Sequence, residues 1–356
     1  MSLQIIKSAS LFSKMKGQWN ELYSELVFAT PFQTWEWNFL YWEYFRGNKR
    51  LQIVKFEDNN RLVGILPLCI RCQDGLRILE PIGTRGTDYI HLLIKTASSV
   101  EILKRFVNWF DKNRFDLLNL EDIPETAPYL DVLIDTFRSN GLIVNYNKAY
   151  CPCYEIELPE SWNDYLVSLS KRRKMDLEYH RRYALKHFSE VALIHRTVGE
   201  IKKHFELHQK ARLSKNDVGT YTNQKVKEFM DEFARVTFDK GMLQIIFLSM
   251  DNVLTASILG IEDKNRRYNI TIGYDPNYAK YRPGSLLYGY DIENCIIKGI
   301  DIYDLSRGSD SYKNALGAKK KYNARIVAAR SNETIEKYLK NQRRYWDDKD
   351  YAPTAD

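Results

Sequence analysis

The chain has 356 residues, 44% hydrophobic and 28% charged, which is ordinary globular usage, excludes a disordered polymer and suffices for about two domains of roughly 100–200 residues each. Its net charge of +7 (53 Lys and Arg against 46 Asp and Glu) is mild for a nucleic-acid binder, while 24 tyrosines and a basic surface suit anionic ligands such as a nucleotide cofactor or RNA. Apolar runs such as 242–250 fall well short of the ~18 residues of a membrane span, and residues 1–7 lack the basic and apolar regions of a signal peptide, so a cytoplasmic protein is expected. An odd count of five cysteines argues against a disulfide framework. Cys69-x-x-Cys72 and Cys151-x-Cys153 would need to meet in space to hold zinc; Cys69 sits in an apolar run and reads as a small buried hydrophobe, so no metal is expected.

Residues 14–46 read as helical, with Phe32, Trp35, Trp37, Phe39, Tyr41, Trp42, Tyr44 and Phe45 forming a packed helix and loop. Strands at 52–57 and 62–71 flank the turn Asp58-Asn59-Asn60, which is hairpin chemistry. A strand at 77–82, a Gly-rich loop at 83–86, a strand at 89–94, a helix at 100–112, a strand at 117–120, a helix at 126–140 and a strand at 142–145 follow. The stretch 146–159 is strand-like with two prolines and carries the domain boundary. A helical stretch at 161–188 opens with Ser161, Asn163 and Asp164 as cap candidates and holds seven basic residues against Asp176 and Glu178 between Lys171 and Lys186. Helices at 200–213 and 223–240 lead to strands at 242–249 and 254–262, joined at Asp251-Asn252, and to a third strand at 268–274. Then come a loop at 275–284, a helix at 285–298, a short strand at 301–305, a turn at Gly308, a helix and a strand at 322–329. Hairpin, strand, helix, strand thus occurs twice, near 50–120 and near 243–305. The reading is α/β with two tandem domains, each a mixed central sheet flanked by helices: 1–150, 151–331, and a C-terminal helix and tail at 332–356.

Two stretches carry chemistry. Tyr274-Asp275-Pro276 ends a strand and Arg282-Pro283-Gly284-Ser285 begins a helix, whose first N–H groups are unpaired and partly positive, so this junction suits a pyrophosphate with Arg282 adding a full charge. Asp304-Leu305-Ser306-Arg307-Gly308…Tyr312-Lys313 follows a strand end, where ligands bind in open α/β sheets. There Asp304 is a candidate general base or acceptor-orienting group, and Arg307, Tyr312 and Lys313 are candidates to hold anionic oxygens or polarise a carbonyl; an Asp–Arg pair closing a turn is the bland alternative. His204 and His208, spaced H-x-E-x-H, miss the metalloprotease pattern and read as a solvated or half-buried helix face. The run Lys171–Lys174 is a solvated face or a contact for a 3′-phosphate or RNA, through Lys171, Arg172 and Arg173; Lys319–Lys321 is equally open. No Ser-His-Asp or Cys-His arrangement, P-loop or Rossmann fingerprint is found.

From about residue 32 to 329 the chain resembles the bacterial GNAT-like acyltransferases grouped with the cellulose-biosynthesis protein CelD, which are related to the Fem peptidyltransferases. The matching pieces are Phe32-Gln33-Thr34-Trp35-Glu36-Trp37, Ser170-Lys171-Arg172-Arg173-Lys174, Leu207-His208-Gln209-Lys210-Ala211-Arg212, Val253-Leu254-Thr255-Ala256, Tyr274-Asp275-Pro276…Tyr281-Arg282-Pro283-Gly284-Ser285-Leu286-Leu287 and Tyr303-Asp304-Leu305-Ser306-Arg307-Gly308…Tyr312-Lys313. The resemblance implies two tandem GNAT-like domains with the competent site in the second. It implies an acyl-CoA co-substrate facing Tyr274, Arg282, Gly284, Ser285, Leu286 and Arg307, with Asp304, Tyr312 and Lys313 as catalytic residues. The acceptor it implies is a small-molecule amine, such as an amino sugar of polysaccharide or cell-envelope biosynthesis. In the Fem variant the donor is an aminoacyl-tRNA, and a third alternative is a non-catalytic nucleotide- or RNA-binding relative. Arg282 stands where the family often has Ser, and a Gln/Arg-x-x-Gly-x-Gly/Ala loop is absent.

Overall fold

The computed structural model describes residues 1–196 and 198–346. The chain forms two compact units, Met1–Cys151 together with Tyr322 onwards, and Pro152–Lys321. The first contains β1 (Ser2–Ile6), α1 (Ala9–Ser13), α2 (Lys16–Glu25), α3 (Trp35–Phe45), β2 (Arg50–Asp58), β3 (Arg61–Gln73), β4 (Leu76–Pro81), β5 (Leu93–Ile94), α4 (Ser99–Lys112), β6 (Leu117–Pro124) and α5 (Leu130–Ser139). A long strand, β7 (Ile143–Glu157), carries the chain onward. The second unit has α6 (Trp162–Ser168), α7 (Lys171–His187), β8 (Val191–Arg196), α8 (Ile201–Leu213), α9 (Gln224–Thr237), β9 (Leu243–Met250), β10 (Val253–Asp263), β11 (Arg266–Tyr274), α10 (Pro283–Ile297), β12 (Ile302–Arg307) and α11 (Ser311–Ala315). β13 (Lys319–Ala329) and α12 (Asn332–Trp346) complete the chain's described part.

Strand order is β1-β2-β3-β4-β6-β13 in the first unit and β7-β12-β11-β10-β9-β8 in the second, antiparallel except for the parallel pairs β4–β6 and β11–β12. Hairpin, strand, helix, parallel strand therefore occurs in both units: β2, β3, β4, α4, β6 and β9, β10, β11, α10, β12. The hairpins turn in two residues, at Asn59-Asn60, Asp251-Asn252 and Lys264-Asn265, all with positive φ, the conformation that matches strand twist and that Asn and Asp tolerate best. In the first unit Phe106, Phe110, Leu133 and Phe137 of α4 and α5 cover Val54, Leu66 and Leu118. In the second, Leu286, Leu287 and Ile292 of α10 cover Ile246, Ile258 and Leu305. Each such side chain, fully buried, contributes about 1.5–3 kcal/mol.

Several elements differ from the sequence reading. The stretch 161–188 is two helices, broken where Leu169 and Ser170 take extended backbone and Leu169 turns into the core. The stretch 89–94 keeps only two strand residues, because Tyr89–Leu92 are held by other groups, such as Ile90 N–H on Asp122 O. The short outer strands β1 and β8 were not expected. Residues 322–329, assigned to the second domain, pair with β6 of the first unit from Asn323–Pro124 to Ala329–Leu117. Ile335 and Tyr338 of α12 pack on the same sheet through Ile78, Leu117 and Val327. The expected tail beyond 346 lies outside the described residues. The aromatic run 32–45 is core and surface packing: Phe32, Trp37, Tyr41 and Trp42 are buried, and Trp35 stacks on Phe39 at 4.4 Å.

Candidate active site at the parted strands of the second unit

β11 and β12 pair at Arg266–Ile302, Arg267–Tyr303 and Tyr268–Asp304, then run on to Tyr274 and Arg307; among the described residues no pair joins them beyond Tyr268–Asp304. Both strands contribute to the parting. The register of β11 with β10 shifts between Leu259–Thr271 and Gly260–Asn269, which leaves Ile270 without a partner, a β-bulge. The register of β12 with β7 shifts between Asp304–Glu155 and Arg307–Cys153, and Ser306 takes a φ of +57°. The bulge also re-aims side chains. Asn269 reaches Tyr303 Oη at 3.0 Å, which in turn donates to Asp291 of α10 at 2.7 Å, whereas Thr271 meets His204 of α8 at 2.9 Å. Arg267, wholly buried, pairs with Asp291 at 3.1 Å and locks α10 to the strand. Sequence reading could not see the bulge, since Asn269-Ile270-Thr271 looks like regular strand.

At the open end of β11, Asp275 accepts from Asn277 N–H at 3.0 Å and from Lys210 Nζ at 2.8 Å, which fixes the loop Pro276–Tyr281; the Lys210 bond holds the Asp275 carboxyl below its ordinary range. α10 then begins with Pro283 at its first position, where no N–H is lost. Arg282 is its N-cap, left-handed at φ +50°, and gives no side-chain cap. The first helical bond runs from Leu286 N–H to Arg282 O, so the N–H groups of Gly284 and Ser285 have no acceptor in the helix. A fifteen-residue helix thus starts with its positive end uncapped. Tyr274 lies beside it: a methyl on Gly284 would stand 3.7 Å from Tyr274 Cδ1. Ser285 is exposed, and Arg282 pairs with Asp176 of α7 at 3.1 Å while staying half exposed. Leu286 does not belong with them: it is 1% exposed and part of the core under the helix.

Asp304 is buried, accepts from Ser306 N–H at 2.8 Å and pairs with Arg266 at 3.0 Å; Arg266 also holds Glu155 at 2.8 Å, and Lys321 reaches Glu155. Burial opposes the Arg266 charge, but Asp304, Tyr268 and Glu155 outweigh it and hold the guanidinium above its usual value. Asp304, a candidate base or acceptor-orienting group, thus stands where the strands part, held by Arg266 and the Ser306 N–H. Lys313 is buried too. It is 1% exposed, and its ammonium donates to the carbonyls of Ser306, Arg307 and Gly308, so it braces the loop. Arg307, half-buried, ends β12 opposite Cys153. Tyr312 of α11 is half-buried, stacks on Tyr288 of α10 at 5.2 Å and accepts its hydroxyl at 3.2 Å. Burial pushes the Tyr312 phenol up to about 12, so it is a neutral donor at physiological pH.

On the opposite face α8 lies against β11. His204 bridges Ser257 and Thr271, 2.9 Å from each, and Tyr221 adds a 2.8 Å bond to Thr271. His204 and His208 are both 0% exposed, which overturns the expected solvated or half-buried face; burial holds His204 well below its usual pKa and pushes His208 down to about 4. Lys171, Arg172 and Arg173 lie exposed in the first turn of α7, a turn before Asp176. Among the described residues no His, Cys, Asp and Glu group is arranged to hold a metal ion, and no helix is long and apolar enough to cross a membrane.

Residues 170–314 match the family model described as acetyltransferase (GNAT) domain. FemX superposes at a TM-score of 0.66 with 8% identity, covering 95% of this chain and 100% of that one. The C-terminal domain of a putative lysylphosphatidylglycerol synthetase from Agrobacterium fabrum gives 0.54 at 8% identity over 93% of this chain and 96% of its own. A conserved protein of unknown function from Bacteroides thetaiotaomicron gives 0.52 at 9%, over 92% and 100%. No curated protein sequence matches this chain. The matched stretch contains the bulge, the uncapped helix start and Tyr312, and the protein is an acyltransferase with a GNAT-type domain at residues 170–314 of a two-unit α/β fold.

Proposed function

We propose that the second unit transfers an acyl group from an acyl-CoA thioester to an amine, the amine being that of an amino sugar or a related envelope or polysaccharide precursor. The observation that carries the donor is the start of α10. Two backbone N–H groups and a helix dipole converge beside Tyr274 with no side-chain cap, a cradle for a pyrophosphate that Arg282, paired with Asp176, borders. The parted strands support the rest. Their unpaired edges offer backbone donors and acceptors to an extended amide-bearing chain and to the carbonyl oxygen as charge develops on it. The thioester supplies the activated acyl group; the protein supplies proximity, worth several kcal/mol on an intramolecular scale (about 7–11). The amine attacks as its free base, the C–N bond forms and the C–S bond breaks; Tyr312 gives its hydroxyl proton to the leaving sulfur and takes the proton shed by the nitrogen, so the phenol ends neutral, while Arg266, Asp304 and Lys313 keep the end of β12 in place. Lys171, Arg172 and Arg173 stand as candidates for a further phosphate of the donor.

The FemX likeness gives a second donor, an aminoacyl-tRNA, which the same anion cradle would hold at a terminal phosphate. Thermal unfolding separates the two. A ligand at 100 times its dissociation constant stabilises the folded state by about 2.7 kcal/mol. The acyl-CoA reading expects an upward shift with CoA and acyl-CoAs that varies with acyl length. A shift with aminoacyl-tRNA and none with any CoA would replace it.

A further inference from the structure

α7 has an outer face that the donor reading above touches only at its first turn, through Lys171 and Arg172. Its inner face is occupied: Leu177 meets Gly289 of α10, His180 and Ala184 are buried, and Arg181 pairs with Glu293 and lies over Tyr290 at 4.1 Å. The outer face recurs at three- and four-residue spacing through Lys171, Met175, Tyr179, Arg182 and Lys186, with Arg172 and Leu185 on its flanks. Met175 is 57% exposed, Tyr179 53% and Leu185 53%. The basic side chains between them are exposed, and among the described residues none of Lys171, Arg172, Arg182 and Lys186 has an ion pair. Three exposed apolar side chains interleaved with four cations, against Glu178, make a patch suited to a partner with both an apolar and an anionic part.

We propose that this face of α7 docks on an anionic lipid surface. The chemistry selects a bilayer over a nucleic acid. Either polyanion would satisfy the four cations, and Tyr179 would stack on a base, but Met175 and Leu185 gain nothing from phosphates or base edges. At a bilayer they enter the acyl boundary while Lys171, Arg172, Arg182 and Lys186 meet the headgroups. The helix lies in the interface plane and does not cross it. Asp176, on the flank of the same helix, pairs with Arg282, so a bilayer under α7 lies beside the start of α10. The proposal stands whether the donor is an acyl-CoA or an aminoacyl-tRNA.

The test is flotation of the full chain with phosphatidylcholine vesicles, with and without 30% phosphatidylglycerol, at about 0.1 M salt. The protein is expected to float with the anionic vesicles alone and to lose that at high salt. Arg172→Gln with Arg182→Gln should lower the partition coefficient roughly 30-fold, about fivefold for each cation from ~1 kcal/mol per Lys or Arg near the surface. Met175→Ser with Leu185→Ser should also weaken flotation while leaving the charge intact. Circular dichroism and an unchanged unfolding midpoint show that both variants fold. The proposal is overturned by failure to float with anionic vesicles. It is also overturned if the Met175→Ser, Leu185→Ser variant floats as well as the native chain. Binding of bulk tRNA that needs Arg172 and Arg182 but is indifferent to Met175 and Leu185, without vesicle binding, would reassign the face to RNA.

Discussion

Replacing Gly273 by alanine tests whether α8 sits on β11 as described. Gly273 has ordinary strand backbone, so the effect is steric. The added methyl would stand 2.2 Å from His208 N, 2.5 Å from Leu207 C and 2.6 Å from His208 Cα. These are main-chain atoms that no rotamer change can move. Ordinary contact begins near 3.4 Å, so the helix must withdraw by about 1.2 Å. His204, now 2.9 Å from both Ser257 and Thr271, would leave hydrogen-bond range of each. Two lost bonds cost about 1 kcal/mol apiece and the overpacking about 1–3, for roughly 3–5 kcal/mol in all. That is a large share of the ~5–15 kcal/mol of an ordinary domain. Urea unfolding of the native chain and Gly273→Ala, fitted with a common m, reads the difference. A loss under about 1 kcal/mol would mean that α8 does not approach the strand this closely, and the seat of His204 would have to be redrawn.

Gly284→Ala is the contrasting case: its methyl would find Ile272 Cδ1 at 3.6 Å and Tyr274 Cδ1 at 3.7 Å, ordinary contacts, in a helix that prefers Ala. It should keep or raise the unfolding midpoint yet weaken CoA binding by calorimetry about tenfold or more, because the methyl enters the anion cradle; full affinity would place the phosphates elsewhere. Tyr312→Phe should leave CoA affinity unchanged and lower kcat by about 10²–10⁴ if the phenol protonates the leaving sulfur, and native turnover in that variant removes it from the chemistry. Acid should destabilise the fold through the buried imidazoles. The unfolded chain takes up the His208 proton near pH 6.5 and the folded one only near 4, so this stability is complete above 6.5 and drains away as pH falls toward 4, by about 3 kcal/mol for His208, with His204 acting in the same direction. Urea midpoints at pH 7.5 and 4.5 should diverge less in His208→Gln than in the native chain; an equal divergence contradicts this assignment.

The duplicated order of hairpin, strand, helix and strand was legible because each piece has local signals. Asn59-Asn60 and Asp251-Asn252 announce two-residue turns, and Arg282-Pro283-Gly284 announces a helix start. What escaped depends on partners distant in sequence. Asn269-Ile270-Thr271 carries no local mark of a bulge, since the bulge exists only against Leu259 and Gly260. Asp304 and Lys313 look catalytic in the linear text. The contacts that hold them, Arg266 for Asp304 and the carbonyls of 306–308 for Lys313, have no mark in the sequence. His204 and His208 read as a solvated or half-buried face because the polar residues near them in sequence hide the buried side on which His204 meets Ser257 and Thr271. Tyr312 has a neighbour, Tyr288, that no motif indicates.

The return of β13 to the first unit has a consequence for how the protein is made. β6 ends at Pro124, and the strand that covers its edge begins pairing at Asn323. A ribosome adding about 5–20 residues per second therefore leaves that edge bare for roughly 10–40 s while the whole second unit is synthesised. During this interval the nascent chain presents Leu117-Leu118-Asn119-Leu120 as an open template for any passing strand. The second unit can be finished before its neighbour closes. A gene shortened at codon 321 would yield a second unit with nearly all its own strands and a first unit condemned to seek a substitute, most readily from another copy of itself.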